Sequence, residues 1–245
     1  MVGWRRNNNR EFATTHWSVV RAAAEKDSAV AKSALQKLCQ TYWYPLYSFV
    51  RFKGFDAATA EDLTQAFFAD LLAREDIKKV EPQLGRFRSF LLASLKNFLS
   101  NQRKRQNAQK RGGGSVPLSL DFQNADERYS NHPADGTTPD SAFLQQWALT
   151  LLDRVNQQLQ QEFEKRGKAH VFQRLQPFMA GKNPESTLAE AATELDMAEV
   201  AVKVAVHRMR ARFGELLRAE IQETVETPEE IDDEIKHLFA ALKGT

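Results

Sequence analysis

The chain has 245 residues, of which 42% are hydrophobic and 27% charged, and its formal net charge is only +2. That length allows one large domain or two small ones, at roughly 100–200 residues per domain, and the hydrophobic share suits a packed core rather than a disordered chain. A single cysteine, Cys39, excludes an intrachain disulfide. No run approaches the roughly 20 apolar residues that cross a bilayer, and Met1–Arg10 is polar and basic without a signal-type apolar stretch, so a cytoplasmic protein with no membrane partner is expected.

Residues 14–28 read as a short helix, capped by Thr14 or Thr15, with Trp17, Val20 and Ala24 on one face. Residues 30–52 form a second helical stretch rich in Leu, Tyr, Trp and Phe; Pro45 is expected to kink or break it, and Gly54 ends it. Residues 57–75 are amphipathic. Leu63, Phe67 and Leu71 recur every four residues with Phe68 and Leu72 beside them, and Asp62, Gln65 and Ala69 fall on the opposite face. Pro82 and Gly85 mark a loop. A helix then runs from about Ser89 to Gln109 on a stripe of Leu91, Leu95, Phe98 and Leu99, and Gly112–Gly114 stops it.

From there to Pro139 apolar periodicity is lost, and Gly, Pro, Ser, Asn and Asp dominate, the composition of a linker. Thr138-Pro139-Asp140 is a helix start signal. Phe143, Trp147, Leu151, Val155 and Leu159 then follow at helical spacing over 140–165, and a shorter helix occupies 169–180. Leu188, Ala191, Ala192 and Leu195 mark the next helix, Asp196 and Met197 a tight turn, and a long helix runs from about Glu199 to Glu223. The expected fold is all-α: two small helical domains, 14–112 and 139–222, joined by a flexible linker at 113–138 and followed by an acidic extension at 223–245.

The near-zero net charge hides two opposed segments. No acid lies between Glu81 and Asp121, a window with eight cations: Arg86, Arg88, Lys96, Arg103, Lys104, Arg105, Lys110 and Arg111. Between Arg218 and Lys236 there are eight acids and no base. The cationic segment, interleaved with Phe87, Phe90 and Phe98, suits a surface that tracks a phosphate backbone and stacks bases; Phe90 and Phe98 fit a core better, and Arg103–Lys104–Arg105 fits phosphate contact better. The acidic extension could fold back on such a surface as an internal brake, since the charges are complementary, or lie as a solvated helix or pack on a domain.

Residues 186–213 have the pattern of a helix-turn-helix. The long helix would bury Val202, Val206, Met209 and Phe213. It would expose Lys203, His207 and Arg210 on one flank, Arg208 and Arg212 on the other, and small apolar Val204 and Ala211 between. Cations on both rims could meet phosphates while the centre approaches base edges; an ordinary helical hairpin with a solvated basic face fits the same spacing. Catalytic arrangements are not expected. The five histidines are scattered without metal-ligand spacing, no phosphate-binding glycine loop precedes a Lys-Ser/Thr pair, and Cys39 lies in an aromatic stretch as a small hydrophobe. No enzyme activity, cofactor, metal or small-molecule substrate is expected.

Taken in order, these parts resemble a bacterial RNA polymerase sigma factor of the extracytoplasmic-function (ECF) group, over about residues 14–220. Ala60-Glu-Asp-Leu-Thr-Gln-Ala-Phe-Phe68 is similar to the family's polymerase-binding helix. Gly85-Arg-Phe-Arg-Ser-Phe-Leu-Leu-Ala-Ser-Leu-Lys-Asn97 is similar to the stretch that opens the promoter and reads its −10 element, with Arg103–Arg105 as its basic end. Leu188–Arg210 is similar to the −35-binding helix-turn-helix, while Thr14–Ser18, Arg111–Gly114 and Pro117–Asp121 look like a subgroup with a longer linker.

The resemblance implies core polymerase binding through Asp62, Gln65 and Phe68. It implies −10 contacts by Leu84, Arg86, Arg88, Lys96, Asn97, Arg103, Lys104 and Arg105, and −35 contacts by Lys203, Val204, His207, Arg208, Arg210 and Arg212. The implied partners are the β′ and β subunits of core RNA polymerase and promoter DNA, and a separate anti-sigma factor is left open. The chain departs from many relatives at Ala201, Val204 and Ala205, where they carry Thr, Ser and Arg; this removes side chains that could reach bases and leaves phosphate binding.

Overall fold

The computed structural model describes residues 29–73, 86–108, 138–180, 187–225 and 227–243. Every regular element among them is helical. The expected helix at 14–28, the loop at 82–85, the Gly112–Gly114 stop and the linker up to residue 137 lie outside the described residues.

Helix α1, Ala29–Phe52, runs through Pro45 without a break. A mid-helix proline removes one backbone hydrogen bond and crowds the preceding turn, at roughly 3 kcal/mol. Residues 41–50 are all buried, and each large apolar side chain taken out of water returns roughly 1.5–3 kcal/mol. Packing therefore outweighs the proline. Gly54 follows with φ 89°, a left-handed value that suits glycine.

Helix α2 is Ala57–Ala73. Asp56 caps it: Thr59 N–H donates to Asp56 Oδ1 at 2.9 Å and Thr59 Oγ1 donates to Oδ2 at 2.7 Å. These bonds hold the Asp56 carboxyl below its ordinary range. Helix α3 is Phe87–Ala108, and its stripe of Leu91, Leu95, Phe98 and Leu99 is buried as expected. Phe87 is fully buried, edge-on to Tyr42 with ring centroids 5.3 Å apart.

Helix α4, Pro139–Lys165, is the hub. Thr138 caps it and Pro139 takes the first turn, where a missing N–H costs nothing. Ser141 N–H donates to Thr138 Oγ1 at 3.1 Å, and Thr138 N–H donates to Ser141 Oγ at 2.8 Å, a reciprocal capping box. Phe143, Trp147, Leu151, Val155 and Leu159, the five residues at helical spacing, all have zero exposure. The helix packs on α1 most extensively of all. It also packs on α5 (Ala169–Leu175), α7 (Glu199–Gln222) and α8 (Ile231–Lys243). A short 3-10 helix, Gln176–Ala180, follows α5.

Buried residues from before and after the 113–138 stretch thus form one continuous core. A polar tie crosses it. Arg154 Nη1 on α4 donates to Thr41 Oγ1 on α1 at 2.9 Å and pairs with Glu220 on α7, which also accepts from Gln158. The acidic extension is folded: after a 3-10 turn at Pro228–Glu230, α8 lays Ile231, Ile235, Leu238 and Leu242 against the core, with Leu238 completely buried.

Candidate nucleic-acid interface

The short helix, tight turn and long helix expected over 186–213 are present from residue 187 onward. Thr187 caps α6 (Leu188–Glu194) in a box with Glu190: Glu190 N–H donates to Thr187 Oγ1 at 3.2 Å, and Thr187 N–H donates to Glu190 Oε2 at 2.8 Å. The turn is a Schellman motif. Met197 N–H reaches Ala192 O at 2.9 Å, and Asp196 N–H reaches Thr193 O at 3.3 Å. This requires a left-handed residue, and Asp196 supplies it with φ 52°; short polar side chains tolerate that region better than most.

Helix α7 then buries Val202, Val206 and Met209 against the core, while Phe213 is only half-buried. Its outer face carries Val200 and Val204, at 71% and 43% exposure among the most exposed large apolar side chains described. Beside them lie Ala201, Lys203, His207 and Arg208, all exposed. A groove of about 790 Å³ runs along this face, floored by Phe163, Val171, Met197 and Ala205, with Arg166, Lys168 and Arg208 on its margin.

The cations of α7 differ in freedom. Lys203 pairs with Glu199 at 2.7 Å, an exposed pair of little energy that a phosphate could replace. Arg210 is exposed and its Nη2 donates to Phe178 O at 2.6 Å. Arg212 is held by Glu162 at 2.7 Å and Glu215 at 2.6 Å. Those bonds raise the Arg212 pKa, and Arg212 in turn holds the Glu162 carboxyl below its ordinary range. Arg210 and Arg212 are thus exposed like Lys203, but each already has partners that a phosphate would have to replace.

On α3 and the residue before it, Asn97 and Arg103 are exposed, and Arg103 lies 5.7 Å from the centroid of the Phe55 ring. Lys96 is exposed and pairs with Asp140 at the start of α4. Arg86 is partly exposed, its Nε 2.8 Å from Glu234 Oε2. Arg88 is buried, 5% exposed, paired with Glu234 and lying over the Trp147 ring at 4.4 Å. Burial, and then the nearby Arg86 guanidinium, lower Arg88 to about 10, which leaves it a cation at neutral pH. Arg88 is therefore not an open DNA-binding residue here. Leu84 lies outside the described residues; Lys104 and Arg105 continue the helix.

On α2, Asp62 is exposed and Gln65 half-buried, with Gln65 Nε2 donating to Glu61 Oε1 at 3.3 Å. Phe68 corrects the expectation of a three-residue docking face: it is 1% exposed and packs beside Phe67 in the core, on the apolar stripe rather than with Asp62.

Sequence reasoning missed Glu234 and Trp147 as partners of the basic segment. Glu234 did carry a signal: it interrupts the apolar stripe of Ile231, Ile235 and Leu238, where a carboxylate needs a buried partner. Among the described residues, no group of three or more His, Cys, Asp or Glu side chains is placed to hold a metal ion, and no helix is long and apolar enough to cross a membrane. Comparison with family models, with curated proteins and with solved structures found no match.

Proposed function

We propose that this chain is an alternative sigma factor of the ECF type, a non-catalytic part that lends promoter choice to core RNA polymerase. The observation that carries the reading is the α6–α7 hairpin. Its Schellman turn sets a long helix whose inner face is buried and whose outer face presents Val200, Val204, Lys203, His207 and Arg208. Such a face suits major-groove docking, with cations meeting phosphates and small apolar groups approaching thymine methyls.

In this reading two helical units divide the work. The N-terminal helices dock on the β′ subunit through the exposed Asp62 and the half-buried Gln65 of α2. The surface of Arg86, Asn97 and Arg103, with Lys104 and Arg105 beyond it, holds the unpaired −10 strand, whose extruded bases cost a few kcal/mol that phosphate contacts offset. The α6–α7 hairpin binds the −35 duplex mainly through phosphates, because Ala201, Val204 and Ala205 offer no hydrogen bonds to base edges. Nucleotide chemistry belongs to the polymerase.

The test is a binding and run-off assay with purified core polymerase and a genomic fragment library. The reading predicts a stable complex and promoter-specific transcripts. A chain that does not bind core polymerase rejects it.

A further inference from the structure

We infer that helix α8 is an internal latch: Glu234 occupies the guanidinium groups of Arg86 and Arg88 in place of nucleic-acid phosphate, and holds the N-terminal and C-terminal helices together until nucleic acid displaces it. The inference rests on the proposed nucleic-acid role of the segment from Arg86 to Arg103.

Three observations carry it. First, one carboxylate serves two cations: Glu234, 1% exposed, meets Arg86 at 2.8 Å and also pairs with Arg88. A carboxylate and a phosphate diester are interchangeable partners for a guanidinium, since both accept charge-assisted hydrogen bonds. Second, the latch spans the molecule. Arg86 and Arg88 sit at the start of α3, Glu234 sits on α8, and α8 packs on α4 and α7. Arg88 is also covered by Trp147 of α4, so freeing it means parting α3 from α4 and α8 together. Third, α8 depends on what it packs against. It has 13 residues, a length at which an isolated helix is marginal in water.

The energetics favour exchange over simple opening. A buried ion pair gives little net stability once both groups have lost their water. Deleting one partner leaves the other charge stranded. Replacing Glu234 by phosphate keeps both arginines paired and returns the carboxylate to water. An incoming strand also brings many phosphates where α8 brings one buried carboxylate to this pair of arginines.

The experiment measures binding of a fluorescent single-stranded oligonucleotide to the full chain and to Glu234→Gln at low salt. Core polymerase binding of both proteins is measured alongside. The amide isostere removes the charge and keeps an acceptor. Glu234→Gln is expected to bind at least about five-fold more tightly, the lower end of ordinary coupling between sites. That gain should shrink as salt rises and disappear when Arg86→Gln is added.

A Glu234→Gln chain with unchanged helical circular dichroism and unchanged affinity overturns the latch, and so does absence of oligonucleotide binding by both proteins. Hydrogen exchange on the unaltered chain decides the matter even where Glu234→Gln does not fold. Saturation with oligonucleotide should speed exchange of the amides of residues 231–243, and unchanged protection at saturation overturns the proposal. Unmasked oligonucleotide affinity without core polymerase binding keeps the latch and rejects the sigma reading. Core binding without any gain rejects the latch alone.

Discussion

The guanidinium carbon of Arg88 lies 4.4 Å from the centroid of the Trp147 ring. One residue opens α3 and the other is fully buried in the middle of α4. Their contact joins the helices before residue 113 to those after 138, with Glu234 of α8 completing the charge.

Removing the cation alone strands that carboxylate. Arg88→Met is expected to cost about 3–5 kcal/mol, the usual effect of breaking a buried pair from one side. Arg88→Met with Glu234→Leu should recover most of the loss, because an apolar pair of similar volume needs no solvation. Urea unfolding of the two single variants and the double variant measures this. Additive losses would show that the residues act separately.

The turn at Asp196 gives a test of local geometry. With φ at 52°, a β-branched side chain is strained, at roughly 1–2 kcal/mol, whereas glycine is not. The expected order of unfolding midpoints is Asp196→Gly at or above the parent, with Asp196→Val clearly below. Equal midpoints would contradict the Schellman assignment.

Glu162 sets an acid limb. Its hydrogen bonds with Arg212 depress its pKa below the ordinary 4.5. A depressed acid contributes stability that is fully present above the unfolded pKa and is lost as pH falls through the lower folded value. The melting temperature should therefore drop below about pH 4.5, and Arg212→Gln should flatten that drop. Because the pair is exposed, the effect at neutral pH is under about 1 kcal/mol.

Cys39 is 2% exposed, and burial pushes its thiol up to about 12. The thiolate is the reactive form. A thiol reagent at pH 8 should leave the folded chain unmodified and label it fully in urea. Rapid labelling of the folded chain would contradict the packing of α1.

Much of the fold was legible because periodicity reports which face of a helix is buried. The five residues of α4 from Phe143 to Leu159, the stripe of α3 and the Asp196–Met197 turn all follow from spacing and cap chemistry. Periodicity does not report what a face packs against. Phe68 stands on the apolar stripe of α2, yet the family resemblance assigned it to a partner. Pro45 reads as a break until the burial on every side of it is known. Charge complementarity allowed the acidic extension to fold back on the basic segment, but the resemblance assigned Arg88 to DNA and nothing singled out Glu234, because that pairing is a tertiary event between residues far apart in sequence. For the acidic extension the sequence left a brake, a solvated helix and a packed helix open; Ile231, Ile235, Leu238 and Leu242 share one helical face, and the helix packs.

On the duplex side, Arg208 on the exposed face of α7 is expected to bind phosphate. Arg208→Ala should weaken duplex binding about equally across sequences and reduce the salt slope by about 1. A loss confined to one sequence would indicate base readout instead.

We propose that this chain confers promoter choice on a polymerase. Run-off transcription with purified core RNA polymerase, with and without the chain, on a genomic fragment library decides it. Discrete transcripts that start at a shared promoter class are expected only when the chain is present. Failure to bind core polymerase, or transcription identical with and without the chain, would contradict it.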